Sequence, residues 1–134
     1  MENCYMKHIL LIALTCSILS CSKPGAGNCS DKTKPTLTII APVTSEVYRT
    51  GDPLCFKGNV IDDQALKNVQ LKLFRASDMN KPVIQYDYPV CDRFLIVEER
   101  TIIPAALNGN CVLQFEATDR NNNRAVSVLN FSSN

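Results

Sequence analysis

Acid–base and nucleophilic chemistry need particular side chains close together, and this 134-residue chain offers few of them. A nucleophile needs a base within hydrogen-bond reach. The single histidine, His8, stands near the start of the chain, directly before an apolar run. The adjacent carboxylates are Asp62-Asp63 and Glu98-Glu99. Neighbours along a strand point to opposite faces, so Glu98 and Glu99, in a β-prone segment, do not converge. Asp62 and Asp63 fall in a turn, where aspartate accepts bonds from backbone N–H groups. A Ser–Lys pair is compatible with the composition, but no spacing marks one. The expectation is a chain that is not an enzyme and carries no catalytic residue and no cofactor.

Binding chemistry has more to work with. Asp62 and Asp63 end one strand, while Asp119, Asn121 and Asn122 follow another. Calcium takes six to eight oxygen ligands, which such side chains and nearby carbonyls can supply. The competing reading is that these are ordinary turn-forming residues. Asp62, Asp63 and Asp119 are therefore a calcium candidate, and no metal site is otherwise expected. Tyr86 and Tyr88 share one face of a strand, with Phe74 and Phe94 in reach. Exposed, they would make a platform for a sugar or a protein. In a small domain the competing reading places them in the core.

The beginning of the chain carries a second kind of chemistry. Lys7 and His8 precede an apolar stretch, residues 9–20, which ends in Ser20 and is followed by Cys21. The stretch is too short to cross a hydrocarbon core of ~30 Å comfortably, and it fits the apolar region of a secretion signal. An uncleaved membrane anchor is the alternative. The order of basic head, apolar run, small residue and cysteine resembles a bacterial lipoprotein signal, with Ile18-Leu19-Ser20-Cys21 as the lipobox. Cys16 competes for lipidation, but Ala13-Leu14-Thr15 is a poorer lead-in. The resemblance implies a signal peptide over residues 1–20, a lipidated Cys21 and a flexible Pro/Gly-rich tether over residues 21–34. Removal of the signal takes His8 with it, so the mature chain has no histidine for a Ser–His or Cys–His arrangement. Ser22 follows the cysteine in place of the aspartate that retains many lipoproteins at an inner membrane, which points to the outer membrane of the cell envelope. Residues 22–28 lack the acidic run that sends many such proteins to the surface, so periplasm-facing and surface-facing placements both stay open. The net charge of +1 comes from interspersed charges. Nucleic acid, which needs clustered Lys and Arg, is not an expected partner.

Four cysteines remain in the mature domain and tether: Cys29, Cys55, Cys91 and Cys111. Export to an oxidising compartment makes two disulfides the default, and four cysteines allow three full pairings. No C-x-x-C pair and no histidine accompany them, which argues against zinc.

Residues 35–134 read as one domain of short strands. Residues 37–41, 54–61, 69–75, 83–88, 93–103, 111–118 and 125–131 are rich in β-formers, several of them alternating apolar with polar. Gly51-Asp52-Pro53, Asp62-Asp63, residues 77–82, Pro89, Pro104, Asn108-Gly109 and residues 119–123 punctuate them. About seven antiparallel strands without an amphipathic helix predict an all-β sandwich, with a small barrel as the competitor.

The residues also carry a family likeness. Pro35-x-Leu37-x-Ile39, Tyr48-x-x-Gly51-Asp52 and Phe56-x-Gly58-x-Val60-x-Asp62-Asp63, with Leu66 and Val69-x-Leu71, resemble bacterial Ig-like domains. So do Ile103-Pro104, Gly109, Leu113-x-Phe115-x-Ala117-x-Asp119 and Asn123-x-Ala125. The pattern is most similar to an uncharacterised, domain-of-unknown-function lipoprotein family of Bacteroidetes. The resemblance implies an Ig-like β-sandwich, and little about chemistry, since such folds host many functions. Two departures stand out. Cys111 takes the place of a tyrosine whose hydroxyl bonds the backbone in many sandwiches, so that bond is expected to be absent. Asn122-Asn123 replaces a Gly-Asn turn, which asparagine can survive. The resemblance also places Cys29 and Cys91 at one end and Cys55 and Cys111 at the other, implying Cys29–Cys91 and Cys55–Cys111 bridges. The second needs a bulge, because alternation points Cys55 outward. It also puts residues 62–67 and 119–124 at the same end, as candidate binding loops, since loops on a rigid scaffold commonly carry recognition.

The function expected from all of this is a lipid-anchored, non-enzymatic envelope module that binds a protein or glycan. The alternatives are a structural or envelope-assembly spacer without a small ligand and, further off, a calcium-stabilised adhesion domain.

Overall fold

The structure, a computed structural model, describes residues 31–44 and 46–134. The leader, Cys21, Cys29 and most of the tether lie outside the described residues. Eight strands follow in order: β1 (Thr36–Ala41), β2 (Val47–Tyr48), β3 (Pro53–Ile61), β4 (Leu66–Arg75), β5 (Ile84–Pro89), β6 (Phe94–Ile102), β7 (Gly109–Asp119) and β8 (Arg124–Ser133). A single 3₁₀ turn, Ala105–Leu107, precedes β7. The strands make a three-stranded sheet, β1-β3-β6, and a five-stranded sheet, β2-β8-β7-β4-β5. All pairings are antiparallel except the short β2, which runs parallel to β8. This is an Ig-like β-sandwich. The strand missed by sequence is β2. Its two residues sit between turns and are held by pairing with Ser132 and Ser133, a non-local contact with no local pattern.

The core follows from the period of two. Along β3, Leu54, Phe56 and Val60 are buried, while Pro53, Lys57 and Ile61 face solvent. Along β7, Leu113, Phe115, Ala117 and Asp119 are buried on one face. Leu66, Val69, Leu71 and Leu73 of β4 complete the facing layer. β4 starts at Leu66, earlier than its alternation suggests, because a register shift between Leu66 and Asn68 lets Leu66 turn inward opposite Asp119.

At Gly58 there is no room for a side chain, either beside β1 or across the sandwich. A Cβ there would lie 2.8 Å from the Thr38 carbonyl oxygen and 3.0 Å from Phe115 Cε1. Glycine is thus required by the neighbouring backbone and by the ring packed against it, and not by a turn.

The cysteines correct the expected pairing of Cys55 with Cys111. Among the described residues both are unpaired, as is Cys91, whose expected partner Cys29 lies outside them. Cys55 pairs with Arg100 on the solvent side of the three-stranded sheet, and no bulge turns it in. Cys111 is fully buried in the core. Its thiol donates to the Leu107 carbonyl at 3.1 Å, so a bond to the upstream backbone exists after all, made by sulfur instead of a phenol. Burial raises the Cys111 thiol pKa above its ordinary value.

Candidate functional site

The end of the sandwich where β3 and β7 finish is built by backbone bonds between loops. The Asp62 N–H donates to the Arg93 carbonyl at 2.8 Å, and the Leu66 N–H to the Asp92 carbonyl at 2.9 Å. These anchor the β3–β4 turn on the segment entering β6. The Arg120 N–H donates to the Ala65 carbonyl at 3.0 Å, tying the β7–β8 turn to the β3–β4 turn. Lys67 Nζ donates to Asn122 Oδ1 at 3.0 Å across the same gap. Asn122 has φ 65°, in the left-handed region that asparagine tolerates, and it closes the turn as anticipated.

Strand alternation carries Asp119 inward as the last member of the series Leu113, Phe115, Ala117, Asp119, so its carboxylate is fully buried. A buried carboxylate needs hydrogen bonds. Its Oδ1 accepts from the Asn123 N–H at 2.7 Å and its Oδ2 from Asn123 Nδ2 at 2.7 Å. Asp62 is 5% exposed. Its Oδ1 accepts from the Gln64 N–H at 3.0 Å, while its Oδ2 is buried and has no hydrogen-bond partner. Asp31 reaches the same place from the segment before β1. Its carbonyl accepts from Asn123 Nδ2 at 2.9 Å, and its Oδ2 faces Asn121 Nδ2 at 3.4 Å.

One oxygen of each of Asp31, Asp62 and Asp119 lies within 4.8 Å of the others. Burial raises the Asp62 pKa most strongly. The Gln64 N–H opposes that, and the charges of Asp119, Asp63 and Asp31 add to the rise. Among the described residues, the ion pairs formed by Lys57, Lys72, Arg100 and Arg124 go to Glu98 and Glu116, and none reaches these three aspartates. The donor set is oxygen only, which suits a hard cation and not zinc or copper.

The structure therefore brings Asp62 and Asp119 together, as the loop argument anticipated, and leaves Asp63 exposed outside the group. Asn121 approaches through Asp31, whereas Asn122 faces Lys67. The sequence reading missed Asp31, which falls in the stretch read as tether. Its role depends on bonds to Asn121 and Asn123, about ninety residues away.

The aromatic platform is not assembled. Tyr86 and Tyr88 pack against the core, Phe74 is buried, and Phe94 faces outward on the other sheet. Tyr88 instead donates its hydroxyl to Glu99 Oε1 at 2.8 Å, linking β5 to β6 where the edges of the two sheets meet. Glu98 points the other way, toward Lys57 and Arg100. The two glutamates thus diverge. A cleft of about 330 Å³ lies at the opposite end, lined by Arg75, Asp78, Lys81, Pro82, Val83 and Ala106. Arg75 spends its Nε on the Ala106 carbonyl, and no carboxylate pair faces the opening.

No family model matches the chain. No curated protein matches it either. Among solved structures, OgpA from Akkermansia muciniphila is similar in fold, with a TM-score of 0.53 at 11% identity. The likeness covers 76% of this chain and 28% of that one, so the chain spans under a third of the length of that protein. At that identity the likeness bears on the sandwich architecture alone.

Proposed function

We propose that this chain is a lipid-anchored module of the bacterial cell envelope that acts by binding a protein or glycan, with the loop end of its sandwich as the contact surface. The observation that carries the reading is the mutual tie between the β3–β4 and β7–β8 turns through Arg120–Ala65 and Lys67–Asn122. Two loops locked to each other on a rigid sheet pair present a preformed surface, which lowers the ordering cost of recognition. Asp63, Gln64, Arg120 and Asn121 are exposed on it.

Asp31 enters at this same end. The residues between Cys21 and Asp31 reach at most about 35 Å when extended. A lipidated Cys21 would therefore hold the loop end close to the membrane surface, and the partner is expected there. Two or more acyl chains on Cys21 suffice for stable anchoring, so the interspersed surface charges are no obstacle.

Photo-crosslinking in intact cells tests the reading. A crosslinking residue at Asp63 or Arg120 should give a discrete adduct, and one at Val128, exposed on the five-stranded sheet, should not. Adducts from neither loop position would leave the spacer reading. A labelled fatty acid should enter the wild-type chain and not Cys21→Ala.

A further inference from the structure

We propose that Asp31, Asp62 and Asp119 form a calcium site that fastens the segment preceding β1 to the loop end of the sandwich. The first observation is their convergence, with one oxygen from each within 4.8 Å of the others. Oxygens sharing a calcium at 2.3–2.6 Å lie at most roughly 4.6–5.2 Å apart, so the group already has the span of a coordination shell. The second observation is independent of the clustering. Asp62 Oδ2 is buried and lacks any hydrogen-bond partner, although polar atoms in such positions are nearly always paired. A bound cation supplies the missing partner.

The chemistry favours calcium over other metals. All donors are hard oxygens, and no thiol or imidazole is among them. Three carboxylates provide three to six oxygens, depending on how many bind through both atoms. Asn121 can add its amide oxygen, since rotating the amide replaces the long 3.4 Å contact to Asp31 with an acceptor facing the site. Water or carbonyls complete the shell. Magnesium requires near-ideal octahedral geometry at shorter distances and resists losing its waters, which a site formed by three separate segments accommodates poorly. Asp31 is half-buried, so the ion has a path in from solvent on its side.

The three segments are far apart in the chain, so the ion would act as a cross-link. Asp31 belongs to the stretch that leads back to Cys21, and its tie to the β7–β8 turn otherwise consists of two bonds from asparagine amides. Calcium would stiffen the junction between tether and domain. Affinity should fall in the range of extracellular modules, ~10⁻⁴–10⁻³ M. The proposal does not depend on what the loop end binds.

The test uses the full chain in detergent, stripped with a chelator and titrated with CaCl₂. Calorimetry should give one site per chain, and 5 mM CaCl₂ should raise the melting temperature by several degrees. Asp62→Asn and Asp31→Asn should each fold and lose the calcium-dependent rise. Asp31→Asn is the safeguard should Asp62→Asn fail to fold, because Asp31 lies outside the core. No binding heat together with an unchanged melting temperature in the native chain would overturn the proposal. An equal rise with 5 mM MgCl₂ would overturn the assignment to calcium.

Discussion

The thiol of Cys111 donates to the carbonyl of Leu107, four residues upstream and at 3.1 Å, inside a core where the cysteine has no exposed surface. A raised pKa and burial make such a thiol inert, because the thiolate is the reactive form. Iodoacetamide at pH 8 should leave Cys111 untouched in the folded chain and modify it after denaturation. Peptide mapping without reduction should show no Cys55–Cys111 link. Cys91 sits at the end that also holds Asp31, since the Asp62 N–H bonds the Arg93 carbonyl. The Cys29–Cys91 bridge is the one the family likeness implies, and a Cys55–Cys91 link would refute that arrangement.

Replacing Gly58 with alanine should be costly for its size. The added methyl meets a backbone oxygen at 2.8 Å and a ring carbon at 3.0 Å, and the backbone cannot give way cheaply. Overpacking of this kind costs about 1–3 kcal/mol. For a domain this long, each kcal/mol is about 4–8 °C in melting temperature. Urea denaturation of Gly58→Ala measures the loss, and an unchanged midpoint would mean that β1 shifts freely against β3.

Asp62 gives a pH signature whose sign depends on calcium. Its folded pKa is raised above the unfolded value, mainly by burial. The group's contribution to stability is therefore fully present below the unfolded pKa of ~3.9 and lost as pH rises through the folded value. In chelator at pH 7, Asp62→Asn should have the higher urea midpoint, and its advantage should shrink on acidification. In CaCl₂ the order should reverse. The same midpoint for both proteins in chelator at pH 7 and pH 4 would show that the Asp62 charge is not under strain.

Tyr88→Phe should remove the link between β5 and β6. Hydrogen bonds to charged groups contribute about 1.5–3 kcal/mol, and half-burial places this one toward the low end. Burial, and then the Glu99 bond, raise the Tyr88 pKa. Its contribution is fully present below the unfolded value of ~10 and lost as pH rises through the folded one. Tyr48 is pushed up as well, so ultraviolet titration should show two late-ionising tyrosines in wild type and one in the variant.

Much of this fold was legible from local patterns. The alternation in 54–61 and 111–118 predicted which faces of β3 and β7 enter the core, because a strand has a period of two wherever it lies. The same alternation placed Cys55 outward, and the structure agrees with it over the disulfide that the family likeness implied. Asp62, Asp119 and the Asn122 turn were legible too, since turn chemistry is local. Asp31 was not, because nothing in its neighbours distinguishes it from the surrounding polar residues. β2 was missed for the same reason, being two residues defined only by the strand they pair with.

By itself, the order of residues determined the positions of the seven longer strands to within a few residues, the inward faces of β3 and β7, the absence of histidine beyond residue 8 and the likeness to a lipoprotein leader. Only the tertiary structure decided that three aspartates from separate segments bring oxygens within 4.8 Å of one another, that Tyr88 finds Glu99, and that Cys111 finds a carbonyl in place of a second sulfur. Periodicity and turn chemistry act over a few residues and can be read along the chain. Convergence of side chains depends on how two sheets stack and on where distant segments return, and no local pattern encodes that.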